Sequence, residues 1–238
     1  MKYMGSKARF ADKILPIILA GRHEAQAYVE PFCGGCNSID RVTGPRIASD
    51  NNPYLIAMWT AIVKGWVPPT VNRELYNEIR SNKEKFGPHV VGWAGFNCSY
   101  SGKWFGGFAG ATKTKIDTVR DYQAEALRNV LRQAKRLEGV QFVCSEYYDL
   151  DIPEGAVVYC DPPYAETTKY RLSFDHTRFW EWVRITSRTH PVYVSEYCAP
   201  DDFECVWQGK ASSSLSANGK VGGNKVSTER LFRMRQCV

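Results

Sequence analysis

The chain has 238 residues, 44% hydrophobic and 24% charged, with a formal net charge of +6 and a pI near 8.8. That length suits one domain, or one domain carrying a large insertion, and the balance excludes a fibrous or disordered class. No run approaches the roughly 18 apolar residues of a membrane span and the first residues lack a signal-peptide core, so a cytoplasmic monomer is expected, with a charge suited to a polyanionic partner.

Residues 10–19 carry apolar side chains at helical spacing and are predicted to form a short amphipathic helix. Residues 27–29 read as a strand running into Glu30-Pro31-Phe32-Cys33-Gly34-Gly35, after which a helix is predicted from Asn37 or Ser38, both good caps. A second strand at 46–48 ends in Ser49-Asp50-Asn51-Asn52-Pro53, and a helix follows at 54–64. Strand-helix-strand-helix is the opening of a parallel α/β sheet. Between residues 65 and 117 the pattern breaks. Pro68-Pro69 marks a boundary, a polar helix is predicted over 73–85, and the glycine- and aromatic-rich stretch 92–108 has neither helical nor strand period, so loops and hairpins are expected there. The chain thus divides into a main domain, 1–64 with 118–238, and an inserted subdomain, 65–117. Order returns with a helix over 121–137, strands at 140–144, 156–160 and 191–195, and a helix at 177–188. Residues 205–207 and 228–232 then read as a hairpin around the Gly/Ser/Asn/Lys-rich loop 209–224.

Cys33 and Cys36 form a C-x-x-C, but no second pair completes a four-ligand zinc site, so no metal is expected. The other cysteines stand singly, and reduced packing residues account for them better than disulfides do.

In an open parallel sheet, ligands bind beyond the carboxyl ends of the strands, where a glycine turn lets them approach the backbone. Here the turn is Glu30 to Gly35, with Glu30, Phe32 and Gly34 as candidate contacts. Asp50 lies about 20 residues on, where an acid binds ribose hydroxyls. The full G-x-G-x-x-G that a pyrophosphate requires is absent, which favours S-adenosylmethionine over a nicotinamide cofactor. The most informative residues are Asp161-Pro162-Pro163-Tyr164, which end the apolar strand 156–160. Two prolines stop the ladder and fix an extended corner. That corner presents a carboxylate (Asp161), a free carbonyl (Pro162) and a ring (Tyr164), a set that can hold both hydrogens of a nucleobase amino group and stack on the base. The plainer alternative is an ordinary strand-ending turn.

Five segments, Tyr3-Met-Gly-Ser-Lys7, Glu30-Pro-Phe-Cys-Gly-Gly35, Ser49-Asp-Asn-Asn-Pro53, Asp161-Pro-Pro-Tyr164 and Thr228-Glu-Arg-Leu-Phe232, occur in that order. As an ordered set over essentially the whole chain they resemble the Dam-type, alpha-ordered DNA adenine-N6 methyltransferases. The resemblance implies a Rossmann-like methyltransferase fold with a mostly parallel sheet, a C-terminal antiparallel hairpin and an inserted target-recognition subdomain. It implies site-specific methyl transfer from S-adenosylmethionine to N6 of a flipped-out adenine in double-stranded DNA, of the kind used in restriction-modification. Asp161 and the Pro162 carbonyl would hold the amino group, Tyr164 would stack on the adenine, and Asp50 would bind the cofactor ribose. Tyr3 and Lys7 would close the cofactor pocket, and Tyr147 would flank the cofactor adenine. The same corner suits cytosine N4, although the motif order favours adenine. A catalytically silent DNA-binding module on this fold would need neither Asp50 nor Asp161. Members that read GATC carry an arginine- and proline-containing hairpin in the insert, whereas Tyr100-Ser-Gly-Lys-Trp-Phe-Gly-Gly-Phe108 has neither.

For DNA reading, the stretch 93–115 is expected to border the major groove. Lys103 is the leading contact to a base or phosphate, and Tyr100, Trp104 and Phe105 are candidates to fill the space of the flipped base. The alternative is that these rings form the insert's own small core.

Overall fold

The computed structural model describes residues 1–113, 117–164, 174–213 and 225–235. Helix α1 (Ala11–Ile18) buries Ala11, Ile14, Leu15 and Ile18, the single face its spacing requires. Strands β1 (Tyr28–Glu30) and β2 (Arg46–Asp50) pair in parallel and lead into α2 (Pro53–Val63). Asn52 caps α2, its side-chain oxygen accepting from the Tyr54 and Leu55 amides at 3.1 and 3.2 Å, with Pro53 in the first turn. The insert contributes α3 (Arg73–Ser81), α4 (Pro88–Gly92) and the antiparallel pair β3 (Ala111–Lys113) and β4 (Val119–Asp121). Then come α5 (Tyr122–Ala134), β5 (Val140–Cys144), β6 (Val157–Cys160), α6 (His176–Thr186) and β7 (Val192–Glu196). The hairpin β8 (Phe203–Ser213) and β9 (Lys225–Met234) ends the architecture.

The seven-stranded sheet has the order β5-β2-β1-β6-β7-β9-β8. Its first five strands are parallel, and β9 runs antiparallel to both β7 and β8. Each face has its own core. Tyr28 of β1 faces the layer of α1, α2 and α5, while its neighbour Val29 faces Val158, Phe179 and Val183 on the α6 side. The chain leaves β1 in one direction through β2 and β5 and later returns beside it as β6. The β1/β6 junction is therefore the topological switch point, and a ligand site is expected at its carboxyl edge.

Two sequence expectations are corrected. After the glycine turn there is no full helix at Asn37 or Ser38, only a 3₁₀ turn at Ile39–Arg41. Residues 36–45 must both leave the turn and re-enter β2 through Gly44-Pro45, and Asp40 is committed to Arg136 instead of a helix end. In the insert, α4 does not dissolve into loops. It continues as a single π turn, Trp93–Asn97, with all five residues buried. The glycines that blurred the helical pattern are there for contact. A Cβ on Gly92 would lie 2.1 Å from the Tyr54 carbonyl oxygen of α2, and one on Gly95 would lie 2.2 Å from the Trp104 ring. Trp93, Ala94, Phe96 and Phe105 accordingly share one core with α1 and α2.

Candidate active site at the strand ends

Beyond β1 the chain turns sharply through Gly34 (φ +46°). A Cβ there would meet Tyr3 Cε1 at 2.6 Å, and one on Gly35 would meet Tyr3 Cβ at 2.7 Å. The glycine pair therefore lets the N-terminal segment lie directly on the turn. The turn is held from three sides. Trp59 of α2 donates its indole N–H to the Gly34 carbonyl (3.3 Å). Gln133 of α5 donates to the carbonyls of Gly35 and Cys36 (both 3.0 Å). Asp50, the last residue of β2, accepts the Gly34 amide at 3.1 Å and the Asn52 amide at 3.0 Å. Burial raises the Asp50 carboxyl to about 6, although the two amides oppose that rise.

Glu30, a candidate cofactor contact, is turned away from the turn's surface: its carboxylate accepts the Tyr28 hydroxyl at 2.8 Å, and burial pushes its pKa well above the usual range. The three residues of β1 are all buried, so a carboxyl there is enclosed by the sheet. Tyr147 is corrected likewise. It is 5% exposed, with its ring 5.4 Å from Phe32, 5.6 Å from Phe179 and 5.2 Å from Trp182, so it packs beneath the site. Phe32 belongs to the same cluster but stays half-buried at the turn. Cys33 and Cys36 are buried, and their thiol pKa values lie above the usual range, that of Cys33 through its hydrogen bond to Cys36 and that of Cys36 through burial.

Across the switch point, Asp161 follows the last residue of β6, so it shares the carboxyl edge with Asp50. Pro162 and Tyr164 are buried. The Lys7 ammonium, 7% exposed, lies 3.0 Å from Asp161 Oδ1 and 3.8 Å from Glu229 Oε2, and also donates to the Gly5 carbonyl at 3.0 Å. Lys7 thus reaches the corner instead of only covering the turn. Its nitrogen stands 4.3 Å from the centre of the Tyr164 ring. The Tyr164 hydroxyl donates to Glu229 Oε2 at 2.8 Å, and the Tyr197 ring meets it edge-on at 4.6 Å and 80°. Burial raises the Asp161 carboxyl, and Lys7 pulls it back down.

Residues 3–89, which include Tyr3, Lys7, the glycine turn and Asp50, match the D12 class N6 adenine-specific DNA methyltransferases. The resemblance to adenine-N6 DNA methyltransferases holds. The chain is also 25% identical over 218 residues to the type II methyltransferase M.FokI of Planomicrobium okeanokoites, a match covering 78% of this chain and 31% of that protein. It therefore spans about a third of the length of that curated relative. Among solved structures, the rRNA methyltransferase AviRa from Streptomyces viridochromogenes aligns with a TM-score of 0.42 and 13% identity, over 98% of this chain and 86% of that one. The tRNA (m1A58) methyltransferase TrmI from Aquifex aeolicus aligns at 0.37 and 9%, over 96% and 70%. At such scores the strand order, not the superposition, identifies the fold.

The sequence reading did not single out Glu229, Trp59 or Gln133, which hold the corner and the turn. Thr228-Glu-Arg-Leu-Phe232 carried the resemblance without a role for its acid. The register Glu196↔Arg230 brings the middle of β9, with Glu229, to the edge where Asp161 lies. The insert splits its four candidates. Tyr100 is 65% exposed and Lys103 is on the surface. Trp104, partly buried, stacks on Tyr54 (5.5 Å, 21°), and Phe105 is buried against Tyr76 (5.4 Å), so both rings pack within the core that the insert shares with α2. Lys115 and most of the basic loop 210–225 lie outside the described residues.

Proposed function

We propose that this chain transfers a methyl group from S-adenosylmethionine to N6 of an adenine rotated out of double-stranded DNA, with residues 65–117 as the target-recognition segment. The observation that carries the reading is the pairing, on one carboxyl edge at the switch point, of the Asp50-braced glycine turn with the Asp161-to-Tyr164 corner. The turn suits a nucleoside cofactor because its glycines leave the backbone bare, and the Asp50 oxygens keep lone pairs for ribose hydroxyls after accepting two amides. When bound, the cofactor supplies a methyl group activated on a sulfonium. The adenine amino nitrogen is a poor nucleophile because its lone pair is delocalised into the ring. With Asp161 and the Pro162 carbonyl each accepting one of its hydrogens, that lone pair is localised and aimed. The nitrogen loses a proton as it gains the methyl group, and Asp161 is the carboxylate in place to take it. No covalent enzyme intermediate is involved. Extruding the base costs a few kcal/mol, which Tyr164 offsets by stacking. Exposed Lys103 and Tyr100 are the insert's candidates for meeting the duplex.

Incubation with S-adenosylmethionine and unmethylated DNA, followed by digestion and mass analysis, is expected to yield N6-methyladenine, and sequencing of the modified sites would give the target. N4-methylcytosine alone would move the reading to the other amino base. Cofactor binding without any transfer would favour a silent DNA-binding module.

Cofactor binding should depend on pH through Asp50. Ribose hydroxyls favour the ionised carboxylate, so binding lowers its pKa. Affinity is then flat above about pH 6 and falls below it, by up to about tenfold per pH unit. Calorimetry across pH 5–8 checks this, and an Asp50→Asn protein should bind more weakly with a flat profile.

A further inference from the structure

The Lys7 ammonium occupies two places at once that the reaction needs empty. It is 3.0 Å from Oδ1 of Asp161, the carboxylate that is to accept an amino hydrogen, and it stands over the Tyr164 ring, 4.3 Å from its centre, where the base is to stack. Lys7 is 7% exposed, so leaving for bulk water would require the N-terminal segment to lift off the glycine turn. A nearer destination exists. Glu229 Oε2 lies 3.8 Å from the same nitrogen, its side chain is 9% exposed, and lysine's flexible stem lets the ammonium exchange one carboxylate for the other. Glu229 also accepts the Tyr164 hydroxyl at 2.8 Å, and the Tyr197 edge supports the same ring, so Tyr164 stays oriented while the cation moves.

We propose that Glu229 is a positioning residue of the base site: it anchors the Tyr164 hydroxyl and receives Lys7 when the adenine amino group claims Asp161. This rests on the adenine-methylation reading above. Lys7 keeps the buried Glu229 carboxylate and the partly buried Asp161 carboxylate from standing unpaired side by side, which would be costly. On base entry the pairing shifts wholly to Glu229, and Asp161 is freed as an acceptor. Without the negative charge at 229, Lys7 would stay on Asp161 and compete with the base.

The test compares Glu229→Gln and Glu229→Asp with wild type. Glutamine keeps the shape and the acceptor for Tyr164 and removes only the charge that attracts Lys7. For Glu229→Gln, kcat for methyl transfer to unmethylated DNA is expected to fall about tenfold or more, with KM for DNA and Kd for S-adenosylmethionine within about twofold of wild type. Glu229→Asp, which keeps the charge, should hold kcat within about threefold of wild type. A Glu229→Gln protein with wild-type kcat overturns the proposal. So does a parallel loss of kcat and cofactor affinity in both variants, which would mark Glu229 as a folding residue. If Glu229→Gln fails to fold, Glu229→Asp decides alone: near-wild-type kcat supports the role of the charge, and a tenfold loss overturns it. Wild-type protein that transfers no methyl group to DNA overturns the function reading itself, an outcome distinct from any failure of Glu229.

Discussion

An Asp161→Asn protein is expected to transfer methyl groups about 10²- to 10³-fold more slowly than wild type, the loss typical of removing one well-placed electrostatic partner. Asparagine fills the same space, so any change is electrostatic. The carboxylate can accept on either oxygen, but the amide presents a donor on one side, which faces the base amino group unfavourably. The negative charge that stabilises a nitrogen gaining positive character is also lost. Under the proposed function, Asp50 and the glycine turn hold the cofactor apart from Asp161, so affinity for S-adenosylmethionine should stay within about threefold of wild type. Single-turnover transfer at saturating DNA, paired with cofactor calorimetry, separates the two quantities. A rate within a few-fold of wild type would remove Asp161 from the chemistry, and an equal loss of cofactor affinity would reassign it to the cofactor.

The largest stability effect is expected at Trp59, which is fully buried on α2 and donates to the Gly34 carbonyl at 3.3 Å. Trp59→Ala should lower the unfolding free energy by about 3–5 kcal/mol through the cavity it leaves. Trp59→Phe keeps much of the packing but deprives a buried carbonyl of its donor, for a smaller loss of about 1–3 kcal/mol. Urea unfolding measures both, and cofactor titration of the phenylalanine variant shows whether the turn has also loosened. An unchanged unfolding midpoint for Trp59→Ala would mean the indole is not a strut.

The main sheet was legible because its signals are local. Apolar runs bounded by prolines and acids mark strands: β5 was expected at residues 140–144 and observed at Val140–Cys144, and Asp50 and Asp161 were expected at strand ends. What stayed hidden depends on contacts distant in sequence. Glu229 meets Tyr164 across 65 positions, because β9 pairs antiparallel to β7 and so carries Glu229 to the edge where the parallel strands finish. Gly92 and Gly95 read as helix breakers, yet their bare backbones let a helix press against Tyr54 and Trp104. Propensity cannot separate these two uses of glycine. Glu30 opens the turn and Tyr147 follows β5, both near strand ends in sequence, yet both point into the interior in space, a distinction that residue type alone does not encode.

The close approach of Gly92 to the Tyr54 carbonyl ties the insert to the helix that starts immediately after Asp50. The excursion from Ser99 to Phe108 leaves and re-enters at a single point, closed by a bridge between those two residues and by the Tyr100 amide on the Gly107 carbonyl at 2.8 Å. Exposed Tyr100 and Lys103 therefore ride on a cassette whose socket is α2, the helix that follows Asp50. Under the proposed function, changes at the exposed positions 100 and 103 can alter target preference while the buried contacts of the cassette, among them Gly102 against the Lys2 carbonyl, hold the rest of the core in place.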